Sequence, residues 1–286
     1  MRIPDWLIYL AVVGAIVWVL FRLDDPKDEA PPSMPGAEAI GPELPPASVF
    51  DPEVLVEVGP AQSGVGTAFA IDQTGWWLTA RHVVADCKDV GIIVGRRAAV
   101  RVKTVKPAPF ADIALLKTEK APEALALDMR EDQLRIGQLA FHVGFPQGRQ
   151  GEAVSRLYRR EKLVAHGRFD NEEPVLAWAE LGRTQGLNGS LAGMSGGPVF
   201  DAQGNVIGIT IAESARRGRI YTASPASIVR LLGLASVEPV GEQAPAMTRA
   251  NYGPRADQLR RDLAVAQVVC VADDANAPES LDSSVP

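Results

Sequence analysis

From Val54 to Ser224 the chain is a succession of short apolar runs, each broken by a turn in which glycine recurs. The runs are VLVEV, GTAFAID, GWWLTA, VGIIV, AAVRVKTV, DIALLKTE, QLAFHVGF, KLVAHGRF, EPVLAWAEL, GPVFDAQGNVIGITIA and RIYTAS. Hardly a helical period lies among them, and so many short strands at this spacing predict an all-β antiparallel sandwich or barrel. Ala202-Gln203-Gly204-Asn205 makes a hairpin turn between PVF and VIGI. Helical periods come late, at Ser227–Leu234 and at roughly Pro254–Ala264, where Leu259 and Leu263 fall four apart.

The two ends have a different texture. Trp6–Phe21 (WLIYLAVVGAIVWVLF) is uniformly apolar, flanked by Arg2 and Arg22, with Trp6, Tyr9 and Trp18 near its ends where amphipathic rings favour a membrane interface. Such a run rises about 24 Å as a helix, and Ile3, Leu23 and a snorkelling Arg22 extend it toward the roughly 30 Å hydrocarbon core. It ends in bulky residues rather than a small-x-small cleavage site, so it reads as an uncleaved anchor over residues 1–23 rather than a secretory signal. The flanking positive charges are nearly tied and do not choose an orientation. Residues 24–50 are rich in proline and acids and poor in large apolar side chains, the composition of an extended tether. Residues 236–286 read as a linker, one short helix, an apolar stretch AVAQVVCVA and an acidic disordered tail.

At 286 residues, with 47% hydrophobic and 22% charged residues, the chain can bury a substantial core. Its net charge of −6 argues against nucleic-acid binding, because phosphate contacts need a basic face that short runs such as Arg159-Arg160 do not supply. Only Cys87, Cys270, His82, His142 and His166 are available as soft or imidazole ligands, and none are spaced as metal ligands. Neither a metal nor another cofactor is expected.

Chemistry is suggested by three segments. LAGMSGGPVF (Leu191–Phe200) sets Ser195 in a glycine-rich loop before an apolar strand, which alone is also an ordinary tight turn. His82 follows the strand of GWWLTARHVV and, in isolation, is as well explained as a core or surface histidine. Asp112 opens the strand of ADIALLK and, in isolation, is a turn-former. Together, in the order His82, Asp112, Ser195, they are the residue types of a base, an orienting carboxylate and a nucleophile, and three unrelated bland readings would have to coincide.

These segments resemble the chymotrypsin-like (trypsin-like) serine proteases, most closely the bacterial HtrA/Deg-type envelope branch. The resemblance is carried by GVGTAFAIDQTGWWLTARHVV (Gly64–Val84), ADIALLK (Ala111–Lys117) and GMSGGPVFDAQGNVIGI (Gly193–Ile209), and covers about Val54–Leu234. It implies two six-stranded antiparallel β-barrels, residues 51–123 and 124–235, with the active site in the cleft between them. His82, Asp112 and Ser195 are then the catalytic triad, and the N–H groups of Gly193 and Ser195 the oxyanion hole. Met194 stands where the family usually carries Asn or Asp, which implies that a newly cut amino terminus does not activate this chain.

Counting along the family pattern puts Gly189, six before the nucleophile, at the base of the primary pocket, and Ile211, Ala212 and Glu213 on the substrate-pairing strand. Those residues imply a small or aliphatic preference, or, through Glu213 at the rim, a basic one. No PDZ domain is expected after the protease region. The function implied is that of a membrane-tethered serine endopeptidase acting on protein or peptide substrates, single-pass in a bacterial inner membrane with its catalytic domain in the periplasm. The alternative is a protease-like binding or scaffold protein with an inactive oxyanion loop. In the oxidising compartment where that family works, Cys87 and Cys270 are the only possible internal pair. Their bond would fold the tail back onto the first barrel.

Overall fold

The strand-forming runs are found where the apolar pattern places them in a computed structural model that describes residues 41–60 and 62–272. The expected anchor, residues 1–23, lies outside the described residues, as do most of the tether and the acidic end of the tail. Among the described residues no helix is long and apolar enough to cross a membrane.

In chain order the strands are β1 (Glu53–Val58), β2 (Gly64–Ala70), β3 (Trp76–Thr79), β4 (Cys87–Gly95), β5 (Ala98–Arg101), β6 (Thr104–Pro107), β7 (Ala114–Lys117), β8 (Leu139–Gly144), β9 (Gly151–Gly167), β10 (Asn171–Arg183), β11 (Pro198–Phe200), β12 (Val206–Ser214), β13 (Arg219–Ala223) and β14 (Val265–Ala272). A short helix α1 (Arg81–Val84) follows β3, and α2 (Pro225–Ala235) and α3 (Tyr252–Arg261) precede β14. Ser224 caps α2 by accepting the Ser227 N–H at 3.2 Å, and Pro225 opens its first turn, where a missing N–H costs nothing.

The strands form two seven-stranded sheets rather than two six-stranded antiparallel barrels. In one, with order β1-β9-β10-β13-β12-β11-β8, β8 also pairs with β9 and closes a ring of six. β1 lies outside that ring, parallel to β9 from Glu53↔Lys162 to Val58↔Gly167. In the other, with order β5-β4-β14-β2-β3-β7-β6, the C-terminal β14 sits antiparallel between β2 and β4. An N-terminal strand has therefore joined the later block and a C-terminal strand the earlier one. The physical reason is that β3 pairs with the far edge of β2, so β2 and β4 leave between them a gap one strand wide, which the apolar run Val265–Ala272 fills.

Both sheets feed one core, with Phe69, Leu78 and Leu115 from the sheet that holds β2, and Ile113 just before β7, meeting Phe141, Val154, Val175 and Tyr221 from the sheet that holds β9. Each such side chain contributes about 1.5–3 kcal/mol by leaving water. The buried indoles are satisfied as well: Trp77 donates to Thr118 Oγ1 and Trp178 to Thr222 Oγ1, both at 2.9 Å. His142 is fully buried beside Trp178, with Nε2 2.7 Å from Ser155 Oγ and Nδ1 3.1 Å from Thr210 Oγ1. Burial pushes its pKa down to about 3.

The neutral imidazole is thus a stabilising group above the unfolded histidine pKa, and that stability is lost as pH falls from about 6.5 toward 3, at up to about 1.4 kcal/mol per pH unit. Urea midpoints measured from pH 7 to pH 4.5 should fall more steeply for the wild type than for His142→Gln. Parallel curves would show that His142 is not the titrating group.

Candidate active site

β3 ends at Thr79, and the chain turns at Ala80 into α1, so the residues after the strand present main-chain N–H groups to whatever lies opposite. The loop between β6 and β7 lies opposite. The Arg81 N–H donates to the Asp112 carbonyl at 3.2 Å, and the His82 N–H to Asp112 Oδ1 at 2.8 Å. Asp112 Oδ2 takes the remaining contact, 2.6 Å from His82 Nδ1. Because a carboxylate only accepts, Nδ1 carries the proton and Nε2 is left with its lone pair. Burial pulls the imidazole pKa down, but the charge of Asp112 and its hydrogen bond outweigh that and hold it above the ordinary histidine value, with Arg168 opposing. Arg168, from the β9–β10 turn, clamps α1 from the other sheet by donating to the carbonyls of His82 (2.7 Å) and Ala85 (3.2 Å).

Ser195 lies in the loop before β11, among glycines whose backbone other residues rarely adopt. Gly193 has φ +96° and Gly196 φ +88°. A Cβ on Gly196 would collide with the Thr67 carbonyl and the Thr79 hydroxyl. Thr67, on β2, ties this loop to the opposite sheet: its N–H donates to the Ser195 carbonyl at 2.9 Å and its hydroxyl to the Gly193 carbonyl at 2.7 Å. The same hydroxyl accepts the Phe145 N–H at 3.0 Å. The Ala192 carbonyl accepts the Gln147 N–H at 2.5 Å. In a trans peptide that turns the Gly193 N–H the opposite way. Among the described residues, neither that N–H nor that of Ser195 has an internal acceptor. Met194, fully buried among Leu157, Trp178 and Val199, anchors the loop through packing.

His82, Asp112 and Ser195 line one cleft of about 460 Å³ between the sheets. Ile211, Ala212 and Glu213 line it too, as do Val56, Glu57 and Val58 of β1. Neither Ser195 Oγ nor His82 Nε2 has a hydrogen-bond partner among the described residues. Catalytic hydrogen bonds in ligand-free sites often close only when substrate is bound. Glu213 does not stand free at the rim: Oε1 accepts from the Ser190 hydroxyl and from the Leu191 N–H (2.6 Å), bracing the approach to the nucleophile loop.

Gly189 is not part of this cleft. It is exposed, with φ +78°, and its carbonyl is tied to Arg183 Nη1 at 2.7 Å, which turns the loop outward. Cys87, just after α1, and Cys270, on β14, are joined as a disulfide. Thr67, Arg168 and the β1 wall carry no motif of their own. Only Thr67 lies inside one, in GTAFA.

Two β-sheets with the His82–Asp112 pair and Ser195 on one cleft define the chymotrypsin-like protease fold. The model of the trypsin-like peptidase domain matches residues 66–209, half of the chain, and the chain belongs to that family. It is homologous to DegP/HtrA-type serine proteases. A protein of Ectopseudomonas mendocina named "Probable periplasmic serine endoprotease DegP-like" is 28% identical over 213 residues, covering 71% of this chain and 40% of the relative. A protein of Magnetospirillum gryphiswaldense named "Probable membrane transporter protein MamO" is 27% identical over 241 residues, covering 78% of this chain and 36% of the relative. The chain thus spans well under two thirds of either relative's length. Among solved structures, the Rv3671c protease from M. tuberculosis in its active form aligns with 70% of this chain and 97% of that one, at 17% identity and a TM-score of 0.49.

Proposed function

We propose that this chain is a serine endopeptidase that hydrolyses peptide bonds of envelope proteins by way of an acyl-enzyme, tethered to the inner membrane by Trp6–Phe21 with its catalytic domain in the periplasm. One observation carries the chemistry: a single carboxylate, Asp112, grips both the main-chain N–H and Nδ1 of His82 on the wall of the cleft that Ser195 shares. Held in that tautomer, Nε2 accepts the proton from Ser195 Oγ as the oxygen attacks a substrate carbonyl, and returns it to the leaving amine. Asp112 stabilises the imidazolium that forms between the two transfers. Water then attacks the acyl-enzyme by the same route in reverse.

The Gly193 and Ser195 N–H groups receive the developing oxyanion, a contribution of about 3 kcal/mol per donor. The Gln147 bond to the Ala192 carbonyl supports an oxyanion loop that is open at rest, and Met194 packing takes over the role of the missing Asn or Asp. Ile211 and Ala212 offer the substrate an apolar wall. A fluorophosphonate probe should label the folded protein at Ser195 and spare Ser195→Ala. A folded protein that resists labelling at neutral pH would leave only the scaffold reading.

The periplasmic assignment draws on the naming of the DegP-like relative and on the Cys87–Cys270 bond, since disulfides persist in oxidising compartments. Full-length protein should sediment with membranes and resist carbonate extraction. A chain beginning at Gly41, which keeps Leu44 in the core, should be soluble and react with the same probe. Recovery of a shortened form in the soluble fraction of cells making the full chain would instead indicate a cleaved signal.

A further inference from the structure

We propose that Glu173 is a positioning residue for the triad: its side chain accepts the Asp112 amide N–H and so fixes the peptide on which the Asp112 carboxylate is mounted. The inference rests on the triad reading above. Glu173 lies on β10, in the sheet opposite the one that carries Asp112, and is only 1% exposed. Its Oε1 accepts the Asp112 N–H at 2.6 Å and the Asn171 side-chain N–H at 3.2 Å, while Oε2 has no hydrogen-bond partner among the described residues.

A carboxyl group buried this deeply in a β-strand needs a reason, because an apolar side chain would fill the same space at less cost. The bond it makes supplies one. Asp112 has three duties toward α1, accepting from the Arg81 N–H, the His82 N–H and His82 Nδ1. All three depend on how the main chain at Asp112 is placed, and among the described residues the side chain that accepts its N–H is Glu173. The contact also spans the two sheets, so the acid on one half is set by a strand of the half that carries Ser195.

Two charges face Glu173. Burial first, and then the charge of Asp112, push its pKa up to about 8, with the Asp112 N–H, the Asn171 side chain and Arg81 pulling the other way. The shift favours the neutral acid, which accepts at Oε1 without placing a second negative charge beside Asp112. Glutamine reproduces both properties, whereas alanine or methionine provides no acceptor.

The test compares Glu173→Gln with Glu173→Ala at pH 7. Glu173→Gln should hold kcat and KM within about twofold of wild type. Glu173→Ala should lose on the order of tenfold to a hundredfold in kcat with KM little changed, the usual consequence of small misplacement at a reacting centre. If Glu173→Ala does not fold, Glu173→Met fills the same space without an acceptor and takes its place. In parallel, the imidazole Nδ1–H proton resonance of His82 is recorded in a Ser195→Ala background, where no turnover is needed. It should stay downfield in Glu173→Gln and be lost or move upfield in the variant lacking an acceptor. A folded variant without the acceptor that keeps the wild-type kcat or the wild-type resonance overturns the proposal, as does a Glu173→Gln protein impaired as severely as the alanine one. A wild-type protein without peptidase activity would count against the proposed function, and the resonance would still decide the positioning role.

Discussion

Ser195→Ala should abolish peptide hydrolysis while leaving the fold and the Cys87–Cys270 bond in place. No described residue bonds to Ser195 Oγ, so the hydroxyl can be removed without stranding a buried partner. His82→Ala should cost nearly as much, because in the proposed mechanism a nucleophile without its base and a base without its nucleophile are equally idle; such units lose on the order of a millionfold in rate. Asp112→Asn should be somewhat milder, at roughly ten-thousandfold, since its amide favours the wrong tautomer of His82. Its effect is read most directly beside Ser195→Ala in one peptide assay, with thermal melts to show that each variant is folded. Turnover within a hundredfold of wild type in either alanine variant would sink the mechanism.

The site was legible because its chemistry is local. The residues flanking His82, Asp112 and Ser195 are strand, turn and glycine signals that a short window contains, and the fold only has to bring three such windows together. Strand partners are a different matter. AVAQVVCVA shows by its apolar run that it can be a strand, but nothing within it says that it belongs between Gly64–Ala70 and Cys87–Gly95, because pairing is settled by which edges are left open after collapse.

β9 extends well beyond the apolar KLVAHGRF because charged residues upstream disguise its beginning. In the folded chain those charges are matched: Arg160 with Glu131 at 2.9 Å, Arg159 with Glu161 at 2.8 Å. Gly189, placed by a fixed offset from the nucleophile, does not line the cleft: its carbonyl is tied to Arg183 on an exposed loop, a tie that no count along the chain contains. Glu173, in the sequence EEP, has the look of a solvated acid. Only its position on β10, facing the other sheet, distinguishes it from Glu172 beside it, which is exposed.

Replacing Arg260 with methionine should destabilise the protein by about 3–5 kcal/mol and slow labelling of Ser195. The guanidinium comes from α3, is only 4% exposed, and pairs with the equally buried Glu152 at 2.5 Å. It also donates to the carbonyls of Gly144 (3.1 Å) and Gly151 (2.7 Å), the two ends of the loop that carries Phe145 and Gln147. That loop supplies the N–H that holds the Ala192 carbonyl, so α3 braces the proposed oxyanion loop through one side chain. Removing the cation leaves the Glu152 carboxylate with the Thr184 hydroxyl but no countercharge in a low-dielectric interior, where breaking one half of a buried pair costs far more than the pair contributes. The double variant Arg260→Met with Glu152→Gln should therefore recover a large part of the lost stability, since the stranded charge is gone. It should not recover the labelling rate, because the carbonyls of Gly144 and Gly151 still lack their donor. Urea unfolding and fluorophosphonate kinetics on the same three proteins separate the two effects. Full recovery of both would reduce Arg260 to a charge partner with no hold on the site.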